Sequence, residues 1–181
     1  MKRFLFASLL IASFGNIVAA EYQLDPSHTN ARFAVDHHET STNIGGFFML
    51  EGKLTFDAAK KVGSVDIVIP MSKMNTGNAT FDEHIKAPSY FNAEKYPEMR
   101  FVSDKFVFDG DKVSAVHGKL TLLGQTNPVV LEAKKFNCYY NTMVKKDTCG
   151  GDFEAKIQAL DWGMNLKQEV DLRIQVEAFK E

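Results

Sequence analysis

Apolar and polar residues alternate along most of the chain with a period of two, which is typical of antiparallel strands that bury one face. Shorter runs of this kind recur between residues 33 and 133. We predict about eight strands of roughly five to ten residues each, which indicates an all-β closed barrel or a sandwich. The clearest apolar sets are Phe153, Ala155 and Ile157, and Val170, Leu172, Ile174, Val176 and Ala178.

Turn-forming residues separate the alternating runs. Asp109-Gly110-Asp111 predicts a hairpin, and the stretch from Gly124 to Asn127 predicts a second tight connection. The strand that opens at Met99 changes parity before Phe106, which predicts a bulge or a turn between them. No linker divides the chain, so we expect a single domain.

Residues 78–96 break the alternation. Phe81, His84 and Ile85 have helical spacing, so we predict a short helix from about Thr80 to Lys86, which Pro88 ends. A second turn is predicted at 92–95. We expect this insert to cap one mouth of a single antiparallel eight-stranded barrel, which is wide enough to hold one small or elongated ligand.

Phenylalanine is abundant on the apolar faces. The chain has 15, and only Phe4, Phe6 and Phe14 precede residue 21. An ordinary packed core and an aromatic-lined apolar tunnel both account for this number. The sequence pattern alone does not separate these two interpretations.

The first twenty residues have the parts of a secretion signal. A positive start precedes an apolar run from Phe4 to Phe14, and small residues follow at 18–20. The alternative, a membrane anchor, needs about 18 to 20 unbroken apolar residues. Because the apolar run is interrupted after residue 14, we expect a cleaved signal peptide at 1–20 and an exported domain at 21–181.

The exported domain is acidic. The leader contains Lys2, Arg3 and no acidic residue, so 19 basic side chains remain against 23 acidic ones, a formal charge of −4. This charge argues against nucleic acid and anionic membrane surfaces as partners. A second long apolar run is absent from the sequence, so we expect no stable membrane insertion.

The two cysteines, Cys138 and Cys149, would reach an oxidising compartment after export, where disulfides persist. Their even number and close spacing predict one disulfide that closes a short loop. The alternative is a redox or metal pair, but redox pairs usually have C-x-x-C spacing, and these cysteines are further apart.

Familiar catalytic motifs are missing: the sequence has no nucleophile elbow, P-loop, dinucleotide fingerprint, H-E-x-x-H or C-x-x-C. His28, His37 and His84 could meet in space and bind zinc or act on a substrate, but they lack the usual ligand spacing. We predict no metal site, no cofactor and no enzymatic activity. A histidine-dependent enzyme acting on an apolar substrate is the least favoured alternative.

Several segments, taken in order, resemble the YceI-like family over residues 22–179. They are Tyr22 to Thr29 followed by Phe33 to His37; Gly46 to Phe48 with Gly52 to Phe56; Asp82 to Lys86, Tyr90-Phe91 and Tyr96 to Phe101; Gly118 to Thr126; and Asp161 to Met164. The resemblance implies a lipocalin-like barrel in the bacterial periplasm. It also implies a long apolar ligand, such as a polyisoprenoid or an isoprenoid quinone, inside the barrel.

On this interpretation the inward strand faces contact the ligand, and the 78–96 insert closes a mouth. Trp162 has an alternative role as an aromatic plug at a strand end. The predicted ligand-binding residues are Phe33, Val35, Phe48, Leu50, Leu54, Phe56, Ile67, Phe81, His84, Phe91, Phe101, Leu120, Leu122, Ile157 and Trp162.

Two departures from the family pattern concern the ligand head group. The family often carries arginine immediately before Asp82 and two residues before Asp161, where this chain has Phe81 and Ala159. Arginine would bind a charged head group. Its replacement at both positions favours a neutral head, such as a quinone ring, over a pyrophosphate.

A different function is also compatible with the alternation. An interaction or stress-related periplasmic protein would have the same strands around a solid core. The oligomeric state is open, and a homodimer is one of the states that the sequence allows.

Overall fold

The computed structural model describes residues 19–181, so the predicted signal peptide at 1–20 lies outside the described residues apart from its last two positions. Within this range the chain forms eleven strands and one α-helix. Short 3-10 turns lie at Pro26–His28, Met71–Lys73 and Ala159–Trp162. The strands are β1 (Ala20–Leu24), β2 (Asn30–His37), β3 (Ser41–Phe48), β4 (Glu51–Asp57), β5 (Val62–Pro70), β6 (Met74–Asn75), β7 (Glu98–Asp109), β8 (Lys112–Leu122), β9 (Gln125–Asn141), β10 (Lys146–Gln158) and β11 (Glu169–Lys180), and the helix is α1 (Ala79–Lys86).

Eight of the strands close into an antiparallel barrel in the order β1-β4-β5-β7-β8-β9-β10-β11, and the pairing of β11 with β1 completes the ring. The other three extend the wall, since β2 pairs with β11, β3 with β2, and β6 with β3. β1 and β2 follow one another along β11, so they act as one long strand broken at a 3-10 turn. The predicted eight-stranded barrel is confirmed.

The predicted turns and the predicted bulge between strands are largely correct. β7 and β8 are joined at Gly110, and the register of this pair shifts at Asp104, where a bulge was expected. The next connection is tighter than predicted. It consists of Leu123 and Gly124, both with positive φ, and the residues from Gln125 to Asn127 already belong to β9.

The two cysteines lie opposite each other on β9 and β10 and form a disulfide, as the spacing predicted. Cys149 is fully buried. The disulfide links the two strands of a hairpin at the end of the barrel that is remote from α1. Among residues 19–181, no helix has the length and apolar character to cross a membrane.

Candidate ligand-binding cavity

The barrel encloses a cavity of about 430 Å³. Small-molecule sites typically have volumes of roughly 300–1,000 Å³. The inward side chains of β2, β5 and β7 to β11 form its wall, and most of them are apolar. Of the predicted ligand contacts, the wall contains Phe33, Val35, Leu50, Ile67, Phe81, His84, Phe91, Phe101, Leu120, Leu122 and Ile157.

Polar and exposed residues gather at one end of the cavity. His37 and His38 lie at the turn between β2 and β3, and Asn165 and Gln168 lie in the loop before β11. Apolar side chains line the interior behind them. This end, beside α1, is therefore the mouth of the cavity.

α1 and the residues after it contribute rings to the mouth. The His84 ring lies 5.1 Å from the Tyr90 ring and 6.1 Å from the Phe81 ring, measured between centroids. Phe91 packs edge-on against Phe47 at 5.7 Å. The predicted insert thus caps the barrel, and the observed helix begins one residue before the predicted start.

α1 is held in place by its N-terminal side chains. The Asn78 side chain accepts hydrogen bonds from the amides of Thr80 and Phe81, which caps the helix. The Asp82 carboxylate accepts from the hydroxyl of Thr76 at 2.7 Å and from its amide at 2.8 Å. These bonds, led by the one from the hydroxyl, hold the pKa of Asp82 below its ordinary value. Asp82 is therefore an anchor for the helix at the mouth.

The opposite end of the barrel is filled by a second aromatic cluster. The Phe56 ring lies 5.0 Å from Phe136 and 6.2 Å from both Phe106 and Phe108. Phe56 and Phe106 are buried. The abundant phenylalanines therefore serve two purposes, since one group packs a solid closed end and the other lines the cavity.

This division corrects two of the predicted contacts. Leu54 and Phe56 face inward, but both lie beyond the floor of the cavity. Leu54 borders only a separate void of about 30 Å³, and Phe56 belongs to the closed end. Period-two alternation tells which face is inward but not how far along the barrel a residue lies.

The placement of Phe48 in the wall is wrong. The sequence groups it with Leu50, but Met49 between them has a φ of +57° and turns the chain, so the inward face changes between β3 and β4. Phe47 is buried and lines the cavity, whereas Phe48 is exposed.

Trp162 is also outside the cavity wall. Its side chain is buried, and its Nε1 donates a hydrogen bond to the carbonyl of Leu120 at 2.9 Å. The residue thus has the role of the aromatic plug that was the alternative interpretation. Gly163 ends the 3-10 turn with a φ of +79°, which allows the chain to bend there.

The sequence pattern missed part of the wall. Met164 and Leu166 come from the loop before β11, which has no periodicity to reveal an inward face. Phe47 was missed because the turn at Met49 changes which alternate positions face inward between β3 and β4. The one sequence signal in this loop is Gly163, which allows a bend and could have indicated that the chain folds back over the barrel.

The histidines do not all meet. His37 and His84 lie at the mouth, but His28 is on the outside of the barrel, where the hydrogen bond that its Nδ1 donates to the Asp25 carboxylate raises its pKa. Among the described residues, no imidazole at the mouth is hydrogen-bonded to a carboxylate or hydroxyl side chain. The geometry therefore does not bring together His28, His37 and His84, which the zinc alternative required.

An antiparallel barrel with an apolar interior site is the architecture that lipocalins use for small ligands. The chain belongs to the YceI-like family, whose domain profile matches residues 22–178. It is 33% identical to Protein YceI of Escherichia coli O157:H7, over 97% of this chain and 95% of that protein.

Two solved structures have the same fold. The YCEI protein of Campylobacter jejuni superposes with a TM-score of 0.71 at 23% identity, covering 100% of this chain and 99% of that one. A polyisoprenoid binding domain from Saccharophagus degradans, implicated in plant cell wall breakdown, superposes with a TM-score of 0.66 at 13% identity, covering 90% and 99%. The predicted family and barrel are confirmed.

Proposed function

We propose that this protein is a periplasmic carrier that holds a long apolar isoprenoid-type ligand, a polyisoprenoid or an isoprenoid quinone, inside its barrel. The observation that carries the proposal is the 430 Å³ cavity, whose lining is mostly apolar. A solid-core interaction protein, the alternative from the sequence, would not have such a cavity.

The driving force for binding is the removal of apolar ligand surface from water. This is worth about 25 cal/mol for each Å² buried. Side chains such as Leu120, Leu122 and Val129 offer no hydrogen bonds that a polar ligand would need. The cavity is therefore selective for a hydrocarbon chain.

The head group is neutral in this proposal. Phe81 and Ala159, which replace the arginines often found in the family, both line the cavity. Among the residues that line the cavity, Arg32 and Asp36 have charges of opposite sign. The rings of His84 and Tyr90, inclined at 58° to each other, place apolar ring faces next to N–H and O–H groups, which suits a quinone ring.

The periplasmic location has two supports. The leader has the composition of a signal peptide, and the disulfide suits an oxidising compartment. The barrel shared with a polyisoprenoid binding domain is a further support for the ligand class.

Extraction of the purified protein tests the proposal. The full chain is expressed in bacteria, recovered from the periplasmic fraction, washed and extracted with organic solvent, and the extract is analysed by mass spectrometry. We expect a neutral isoprenoid that is absent from a mock purification. A polyprenyl pyrophosphate would contradict the neutral head group, and an extract without apolar species would contradict the carrier function.

A further inference from the structure

The barrel wall carries a small protrusion where β1 gives way to β2. The 3-10 turn Pro26–His28 bulges outward there. The Asp25 amide donates to the carbonyl of Glu177 on β11 at 2.8 Å, and Thr29 Oγ1 donates to the same oxygen at 3.2 Å. These bonds hold the turn to the edge of β11.

Three metal-ligating side chains meet at this protrusion. Asp25, His28 and Glu177 each present one donor atom, and these atoms all lie within 4.8 Å of one another. Donor atoms bound to one tetrahedral Zn²⁺ at about 2.0–2.1 Å stand roughly 3.3 Å apart. No pair of these donor atoms is therefore more than about 1.5 Å from that spacing.

Asp25 is the most buried member of the group. It is only 8% exposed, its Oδ1 accepts a hydrogen bond from the Ser27 amide at 2.9 Å, and its Oδ2 faces Nδ1 of His28. The hydrogen bond from Ser27, which is not itself a ligand, is of the outer kind that orients metal ligands. The His28 side chain is 57% exposed, which leaves room for water to complete the coordination.

An ion pair between Asp25 and His28 would compensate only one of the two carboxylate charges in the cluster. The Glu177 carboxylate adds a second negative charge, and within residues 19–181 it forms no ion pair with a lysine or arginine. A divalent cation neutralises both carboxylates. One imidazole nitrogen and two carboxylate oxygens are suitable donors for Zn²⁺ and other first-row ions.

We propose that Asp25, His28 and Glu177 bind a divalent transition-metal ion, with Zn²⁺ as the preferred ion. The bound ion joins the turn between β1 and β2 to β11. It lies on the outside of the wall beside Thr29, which is buried and lines the cavity. This site differs from the His28, His37 and His84 combination that the sequence suggested and disfavoured.

Metal titration of the full chain tests the site. Protein freed of metal with a chelator is titrated with Zn²⁺ against a competing indicator, and with Co²⁺ to record its visible spectrum. The variants His28→Ala and Glu177→Gln remove one donor each, and circular dichroism verifies that they fold. Glu177→Gln preserves the shape of a half-buried side chain, so it keeps the test valid if His28→Ala is unfolded.

Two controls address other histidines. His117→Ala removes an exposed histidine on the outer face of β8, and the double variant His37→Ala/His38→Ala removes the neighbouring pair whose rings lie 4.8 Å apart. We expect one Zn²⁺ per chain in the wild type and in both controls. Loss of one donor should weaken affinity at least about tenfold.

Three results would overturn the site. These are unchanged binding in both donor variants, loss of binding in the His37/His38 variant, and binding of an adventitious ion only, with millimolar affinity and no Co²⁺ spectrum typical of tetrahedral ligands.

Discussion

Phe101 lies against the bare Cα of Gly118 on the neighbouring strand. A Cβ added to Gly118 would stand 2.5 Å from Cζ of the Phe101 ring and 2.6 Å from the carbonyl oxygen of Val102. The ring is buried and borders both the main cavity and the void beneath it. Close approach of the two strands at Gly118 thus sets the position of the ring in the cavity floor.

We expect Gly118→Ala to destabilise the protein by about 1–3 kcal/mol, as overpacking usually does. The displaced Phe101 ring should also reduce the amount of ligand that co-purifies. Denaturant unfolding and extraction measure the two effects. Lys119→Ala, at the next and exposed position of β8, should change stability by less than about 0.5 kcal/mol. Equal effects in both variants would contradict the close-packing explanation.

Phenylalanines at the two ends of the barrel should respond differently to truncation. Phe91→Ala removes a partly buried ring at the mouth and should lower ligand content per folded molecule at a modest cost in stability. Phe56→Ala opens a hole in the closed end, where the loss should be about 3–5 kcal/mol. Its ligand content should stay near that of the wild type.

The measurements for this pair are urea unfolding and mass analysis of extracted ligand, normalised to folded protein. A parallel decrease of ligand and stability in both variants would indicate that the mouth ring serves ordinary core packing.

Loss of the disulfide should destabilise the barrel. Cys138 and Cys149 are separated by 11 positions, and closing a loop of that size contributes slightly less than about 3 kcal/mol in the chain-entropy account. The variant Cys138→Ala/Cys149→Ala should therefore unfold at a lower urea concentration than the oxidised wild type. A reducing agent should destabilise the wild type and leave the double variant unchanged. A wild type that is insensitive to reduction would contradict this.

Acid should release α1 through Asp82. Hydrogen bonds from Thr76 lower the pKa of this carboxyl group below 3.8, its ordinary value. A pKa that is lower in the folded state means that the carboxylate stabilises the helix anchor above about pH 3.8. This stabilisation is lost as the pH falls below that value. Amide hydrogen exchange should therefore show weaker protection of 79–86 at pH 3 than at pH 5.

The variant Asp82→Asn should have weakly protected amides in α1 at both pH values, because it cannot carry the charge. Asp66→Asn is the matched control. Asp66 also has a lowered pKa, which results from its hydrogen bonds with Arg100 on the outside of the barrel. The Asp66→Asn variant should leave the pH response of α1 intact. Helix protection that changes equally in all three proteins would exclude Asp82 as the anchor.

Much of the architecture follows from local patterns. Alternation from Val170 to Ala178 identifies a strand with one buried face, and Gly110 marks a hairpin because glycine adopts positive φ without steric cost. Helical spacing at Phe81, His84 and Ile85 identifies α1 to within a residue of its start. These properties depend on neighbouring residues alone, so the sequence is sufficient to predict them.

The candidate site depends on distances that no local pattern contains. Phe56 and Phe101 both have inward parity, but only the tilt and closure of the strands place one in the closed end and the other at the cavity. Glu177 is far from His28 in the chain, and the pairing of β1 and β2 with β11 brings them together.

The sequence by itself therefore determined most of the inward strand residues, most of the turns and which cysteines pair. Only the tertiary structure decided which inward residues surround the cavity and which pack the closed end of the barrel. The physical reason is that parity is a property of a single strand, whereas a cavity exists where side chains from opposite walls fail to meet.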